Sequence, residues 1–300
     1  MLRAVPKRST PIRAQAILLL GSVCFLAVLL WAISISLPLA SGDDPLRVWM
    51  FDIGQGDSFF IEFPTGEQIL IDGGRHDAVL GKLGSVLPPW DRTLDAIFVS
   101  HPDADHITGL VAVLERYDVE RIYETGVMAS TQVDRALQEQ IEQEHAEEIL
   151  VAKGSVVTIG DVRLTFIWPE QTFERERVED RNNASMVFTL EYGETTMLFT
   201  ADAEEEAEGE FMGELGQIDV LKVGHHGSLS STTWDLLSQI QPTYALVSAG
   251  ADNAYGHPHP VVLRRLEDWG TQIFRTDLQG DILVTSFGGE PQVEVHPLPF

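Results

Sequence analysis

From Leu46 onward the chain breaks into short apolar runs separated by tight turns. Leu46–Ile53, Ser58–Phe63 and Gln68–Ile71 read as three consecutive strands, joined by Gly54-Gln55-Gly56-Asp57 and Thr65-Gly66-Glu67. Leu94–Ser100 is a longer apolar run, the mark of a buried strand, and a helical pattern starts at Ile107 and runs to about Tyr117. A strand near Arg121–Glu124 precedes a long polar helix over Thr131–Glu148. Further strands fit Val156–Ile159 and Val162–Trp168, before a charged loop over Gln171–Asn183. Beyond it, strands at Ala184–Tyr192, Thr196–Thr200, Val220–Val223 and Tyr244–Ser248 alternate with helices at Ser230–Ile240 and Val261–Trp269. Short strands around Thr271–Phe274, Gly280–Val284 and Val293–Val295 close the pattern. Hairpins in the first half imply antiparallel sheet, and the later alternation implies helices covering sheet faces. No repeat or internal linker divides this region, so residues 43–300 are expected to form one domain.

The first 42 residues differ in kind. Ala14 to Gly42 carries no charge, and the apolar stretch Ala16–Leu39 is long enough to cross a bilayer, which takes roughly 20 residues. Arg3, Lys7, Arg8 and Arg13 flank it, so the N-terminus is expected to stay in the cytoplasm and the domain outside it. A cleaved signal peptide is the competing reading, with Pro38-Leu39-Ala40-Ser41 as its end region. An uncleaved single-pass anchor is preferred, because the stretch exceeds the usual 7–15 residues of a signal.

Charge narrows the partners. Formal net charge is −26, and all four basic residues of the first forty stand apart from acids, leaving −30 on the remainder. Such a surface repels free polyanions at low salt and excludes nucleic-acid binding by charge alone. The single cysteine, Cys24, lies in the apolar stretch, so neither an internal disulfide nor a disulfide-linked partner is expected of the domain.

Chemistry gathers at the ends of the expected strands. His101-Pro102-Asp103-Ala104-Asp105-His106 packs four metal-ligand side chains into six residues, on a loop between a strand and a helix. Imidazole and carboxylate together suit a divalent transition metal. A solvated acidic turn at a helix N-terminus explains one or two of the aspartates, but not both histidines. Asp202 follows another strand, His225-His226 a third, and His257 and His259 sit on a Gly/Pro-rich loop; with His76, seven of the nine histidines lie in such places. His145 and His296 read as bystanders.

Asp72-Gly73-Gly74, the His101–His106 run, Asp202 and His225 stand in the order of the metal motifs of the metallo-β-lactamase superfamily, which the chain resembles. Phe51-Asp52-Ile53-Gly54-Gln55-Gly56-Asp57, Asn182-Asn183-Ala184-Ser185, Lys222–Ser228 and Tyr255-Gly256-His257-Pro258-His259 are similar to the C-terminal domain of ComEC-type competence proteins. The resemblance spans about residues 46–286 and implies an α+β fold, an αββα sandwich, here preceded by one transmembrane helix. It implies two divalent metals, zinc or manganese. His101 and Asp103 would help hold one, Asp105, His106 and His225 the other, and Asp202 would bridge them. Asp103 and Asn182-Asn183 stand where hydrolytic lactamases supply histidines, which makes the first site poorer in nitrogen. His226 is an alternative ligand or supports His225; Asp72 and Asn183 have the same standing. His257 is expected to contact a phosphate or protonate a leaving oxygen, with a plain turn residue as the alternative, and Asp105 is placed with it as catalytic. Lys222 lines its strand or contacts a phosphate, while Asp52, Gln55 and Asp57 shape the cleft or simply a hairpin.

The expected function is therefore a membrane-anchored, extracytoplasmic two-metal hydrolase, a phosphodiesterase or nuclease acting on a phosphodiester such as DNA, in the setting of DNA uptake. Full ComEC proteins carry a multi-helix channel, and with one expected anchor this chain is read as the hydrolase and not the channel. Hydrolysis of another ester, such as cell-wall phosphocholine or a lactone, is the alternative within enzymes. A non-catalytic binding module on the same fold is the alternative outside them.

Overall fold

The computed structural model describes residues 44–296. The expected anchor over 16–39 lies outside them, and among the described residues no helix is long and apolar enough to cross a membrane.

Two mixed sheets face each other. The first has eight strands in the order β15-β14-β1-β2-β3-β4-β5-β6, where β1 is Leu46–Met50, β2 Phe59–Glu62, β3 Gln68–Ile71, β4 Thr93–Val99, β5 Asp118–Glu124, β6 Glu147–Leu150, β14 Asp281–Ser286 and β15 Gln292–His296. The second has seven, β13-β12-β11-β10-β9-β8-β7, from β7 (Val156–Ile159), β8 (Val162–Trp168), β9 (Val187–Tyr192), β10 (Thr195–Phe199), β11 (Val220–Lys222), β12 (Tyr244–Val247) and β13 (Gln272–Arg275). Each sheet is antiparallel in its hairpin part and parallel from β3 to β6 or from β10 to β13. The expected split between an antiparallel first half and a helix-covered second half thus occurs twice, once in each sheet.

The layers follow from which faces are apolar. Between the sheets lie Val48, Met50, Phe59, Ile61, Phe98, Phe166, Phe188 and Phe199, all buried. Phe188 stacks on Phe199 with ring centroids 4.7 Å apart and meets Phe98 edge-on at 5.6 Å, aromatic geometries that add to simple burial. The other face of the first sheet is covered by α1 (Ala78–Val86), α2 (Ala104–Leu114) and α3 (Gln132–Glu144), through Leu83, Leu110 and Ile141. The other face of the second packs against α4 (Glu205–Phe211), α5 (Trp234–Ile240) and α6 (Pro260–Asp268), through Phe211, Leu237 and Leu266. This is the αββα sandwich; a last short helix, α7, spans Thr276–Gln279.

Three differences from the sequence reading have local causes. Helix α3 stops at Glu144, because His145 takes a left-handed conformation (φ 59°), and Glu147–Leu150 joins the sheet edge beside β5 instead of continuing the helix. Helix α2 begins at Ala104, with Asp103 as its N-cap, so Asp105 and His106 occupy its first turn and not a loop before it. Helices α1 and α4, too short and glycine- or glutamate-rich to show a clear period, were absent from the expected elements.

Candidate metal centre

The parallel strands deliver the site. In open sheets of this kind the C-terminal strand ends collect ligands. β3 leads to Asp72, β4 to Ser100–His106, β10 to Asp202 and Glu204, β11 to His225-His226, and β12 to Ser248. The turn between β1 and β2 brings Asp57 to the same place. It can do so because Gly56 (φ +122°) has no side chain: a Cβ there would lie 1.9 Å from the Asp105 carbonyl oxygen. The Asp57 amide donates to that same carbonyl at 3.3 Å, fixing turn against helix.

Asp202 is the hub. Its Oδ2 has four imidazole Nε2 atoms around it, His106 at 3.2 Å, His226 at 3.5 Å, His225 at 3.7 Å and His101 at 3.8 Å. Each ring is held from behind through Nδ1. His106 Nδ1 meets Asp72 Oδ2 at 2.8 Å, His226 Nδ1 the Ser248 carbonyl at 2.9 Å, and His225 Nδ1 Glu204 Oε1 at 2.9 Å. The Ser100 hydroxyl donates to Asp72 at 2.6 Å, so it accepts from His101 Nδ1 at 3.0 Å. With every Nδ1 engaged outward, the Nε2 atoms point inward, the outer-partner pattern that orients imidazole toward a metal.

Burial and charge act against each other here. Burial pulls His106 and His226 down, but the carboxylates outweigh it: Asp202 and Asp72 hold His106 well above the ordinary imidazole value, and Asp202 with Asp57 raises His226 to about 9. His101 goes the other way, to about 4, because it is fully buried and sits against the charged His106. Burial pushes Asp57 up, yet Lys222 and His226 bring it down to about 2. Asp105 is likewise held well below the carboxylate range, chiefly by its contact with His226. Lys222 is depressed by burial and raised overall by Asp57 and Asp202.

Lys222 itself is a finding. Its Nζ contacts Asp57 Oδ2, stands 3.6 Å from Asp202 Oδ1 and donates to the Ala201 carbonyl, with a side chain only 2% exposed. A phosphate cannot reach it, so that alternative falls. Asp57, left between cleft and hairpin by the sequence, is equally buried and lies 3.3 Å from His226 Nδ1. The sequence held one usable signal for this pair: an acid and a lysine, each placed directly against a buried strand end.

Other expected site residues are placed as follows. Asp105, His106 and His226 form one ligand group, and His101, His106 and Asp202 another. The geometry therefore puts His226, and not His225, beside Asp105, at 3.7 Å from Oδ2; His225 lies between Asp202, 3.7 Å from its Nε2, and Glu204. Asp103 turns outward to pair with Arg181 through Oδ1 at 2.5 Å and belongs to no such group among the described residues. Asn183 is not aimed at the site. Its amide is occupied by Asp180 and by the Glu204 backbone N–H. His257 lies at the mouth, 5.5 Å from the His225 ring, with a buried Nδ1 that has no partner; burial and the neighbouring His225 lower it to about 4. His259 accepts from the Val261 amide and caps α6, and His76 is exposed and apart. Asp52 bonds to Gly54, and Gln55 accepts from Gly250 on the cleft rim.

The donor set fits divalent metal. His101 Nε2, His226 Nε2 and Asp202 Oδ1 are buried without a hydrogen-bond partner, which is costly unless something else engages them. Imidazole nitrogens with carboxylate oxygens suit zinc or manganese, and the two groups named above meet at His106.

Comparison with known proteins agrees with that geometry. Residues 51–251 match the family described as Metallo-beta-lactamase superfamily. The chain is 34% identical to ComE operon protein 3 of Bacillus subtilis, across 94% of this chain and 37% of that one. It is 30% identical to Recombination protein 2 of Haemophilus influenzae, across 90% and 33%. It thus spans about a third of the length of these relatives. Among solved structures, the metallo-beta-lactamase fold protein YhfI from Bacillus subtilis superposes with a TM-score of 0.55 at 17% identity, over 81% of this chain and all of that one, a likeness of fold.

Proposed function

The chain belongs to the metallo-beta-lactamase superfamily, and from that premise we propose that it is a metal-dependent hydrolase that cleaves phosphodiesters, with DNA as its polymer. The observation that carries this reading is the ring of four imidazoles around Asp202, each tied back through Nδ1. His101, Asp105, His106, Asp202 and His226 would hold two divalent ions, with Asp103 the weakest contributor because Arg181 engages it. Such ions supply Lewis acidity toward a phosphoryl oxygen and acidify water for attack.

The chain's own groups do the rest. Asp72, Ser100 and Ser248 fix ring orientation, so the donors need no rearrangement when substrate arrives. Lys222 offsets the charge of Asp57 and Asp202 from beneath, leaving the open side of the cluster for an anion. His257, lowered to about 4, is neutral at pH 7 and suits holding a phosphate oxygen through its ring N–H, not donating a proton to a leaving oxygen.

DNA is chosen because Recombination protein 2 is among the relatives named above and because the motifs resemble those of ComEC-type competence proteins. We further propose, from the sequence alone, that the apolar stretch over 16–39 anchors the domain outside the cytoplasm, zinc or manganese being the metal. Protease added to intact cells, or to spheroplasts, should then digest the domain.

The testing assay uses the detergent-solubilised full chain across metals, with bis(p-nitrophenyl) phosphate and single-stranded DNA beside a lactone, a β-lactam and a phosphocholine ester. Phosphodiester cleavage, rising with moderate salt as the −30 of the domain is screened and then falling, supports the reading. Turnover of one of the other substrates without phosphodiester cleavage would sink it.

A further inference from the structure

His225 and His226 both take left-handed backbone, with φ 44° and ψ 50° at the first and φ 55° and ψ 20° at the second. Non-glycine residues rarely do so singly, and two in succession are held only where the surroundings demand it. In a strand, neighbouring side chains would point to opposite faces. Here both Nε2 atoms face Asp202, with ring centroids 6.0 Å apart and planes at 66°. Both rings thus offer a nitrogen to the space beside Asp202, and which ion each would serve is decided by its neighbours.

Their neighbours divide them. His226 Nε2 belongs with Asp105 and His106. His225 Nε2 lies 3.7 Å from Asp202 Oδ2 and outside that group, and its Nδ1 is fixed by Glu204. Glu204 is positioned in turn by the two asparagines: Asn183 Oδ1 accepts from its backbone amide at 2.9 Å, and Asn182 Nδ2 donates to its Oε1 at 3.4 Å. The stretch that carries asparagines in place of a histidine therefore bears on the same ring from behind.

We propose that the pair is split between the two metals: His226 completes the set of Asp105 and His106, while His225 completes the set of His101, with Asp202 common to both. Glu204, set by Asn182 and Asn183, is the positioning residue for His225. This rests on the two-metal reading above.

The test is metal stoichiometry of the full chain by equilibrium dialysis against manganese, with cobalt absorption spectra reporting the ligand field. Two ions should bind to the wild type and about one to His101→Ala, to His225→Ala and to their combination, because those two changes strike the same ion. His101→Ala with His226→Ala should bind none. Glu204→Ala should weaken one ion about 10–100-fold and Glu204→Gln, which still accepts from Nδ1, should restore it. Circular dichroism establishes folding, with His225→Gln replacing any alanine variant that fails. Two ions retained by His225→Ala, one retained by the His101/His226 double variant, or fewer than two in the wild type would overturn the assignment. A wild type that shows this metal pattern yet cleaves no phosphodiester removes the proposed function and leaves the assignment standing.

Discussion

Lys222→Met removes a buried cation while keeping the length of its stem, and its cost follows from three contacts. The ammonium loses Asp57, Asp202 and the Ala201 carbonyl, all within a pocket that leaves its side chain 2% exposed. At 3.6 Å, and at an effective dielectric constant of about 20, attraction to Asp202 alone is on the order of 4–5 kcal/mol. Removing one partner of such a pair strands the other charge, at about 3–5 kcal/mol. Asp57 keeps His226 at 3.3 Å and His106 at 4.0 Å, so the lower end, about 3 kcal/mol, is expected. In urea containing EDTA this is a midpoint shift of about 1–3 M, for a slope of about 1–3 kcal/mol/M. Asp57→Asn in the same chain should recover much of the loss, since it removes the stranded charge, giving a coupling above about 1.5 kcal/mol. A loss under about 1 kcal/mol, or strict additivity of the two changes, would refute the view that Lys222 is the internal counter-ion of the cluster.

The metal-free chain should be most stable near pH 6.5, as read from its melting temperature in EDTA, because His101 and His257, both lowered to about 4, cost stability as pH falls from 6.5 toward 4. Asp57 is lowered to about 2, so its contribution is present above the ordinary 3.8 and fades as pH falls toward 2. His226 is raised to about 9, so its contribution is full below 6.5 and is lost as pH rises through 9; stability unchanged between pH 6.5 and 9.5 would contradict this. Gly56→Ala should lower metal affinity by about tenfold or more, because its Cβ would displace the Asp105 backbone, and calorimetry giving wild-type affinity would show the turn is not what positions Asp105. Phe188→Ala removes the ring between Phe98 and Phe199 and should cost about 3–5 kcal/mol in chemical denaturation, a loss below about 1 kcal/mol showing that the two sheets do not depend on it.

Ligand types and strand ends were legible because metal chemistry restricts them to few residues and the buried strands have a clear period. His101, His106 and Asp202 lie in one ligand group, and Asp105 and His106 in another with His226. The order of His225 and His226 was not legible, since it depends on two left-handed residues that no composition signals. Asp103 and Asn183 look like ligands in sequence, yet Arg181 and Asp180, from the charged loop, draw them away. Lys222 and Asp57 meet across 165 positions of chain, a pairing that local pattern does not encode. The end of α3 at Glu144 was lost for a similar reason: Glu147 and Glu148 favour helix locally, and only pairing with β5 makes them strand.

The most direct measurement titrates manganese into the EDTA-stripped full chain while single-stranded DNA cleavage is followed in the same sample. We expect no product without metal, little with the first equivalent, and turnover that rises steeply with the second. The Asp202→Asn variant should stay inactive throughout, because the oxygen shared by four imidazoles is weakened. Cleavage that persists in EDTA, saturates at one equivalent or survives in Asp202→Asn would contradict a two-metal phosphodiesterase built around that carboxylate.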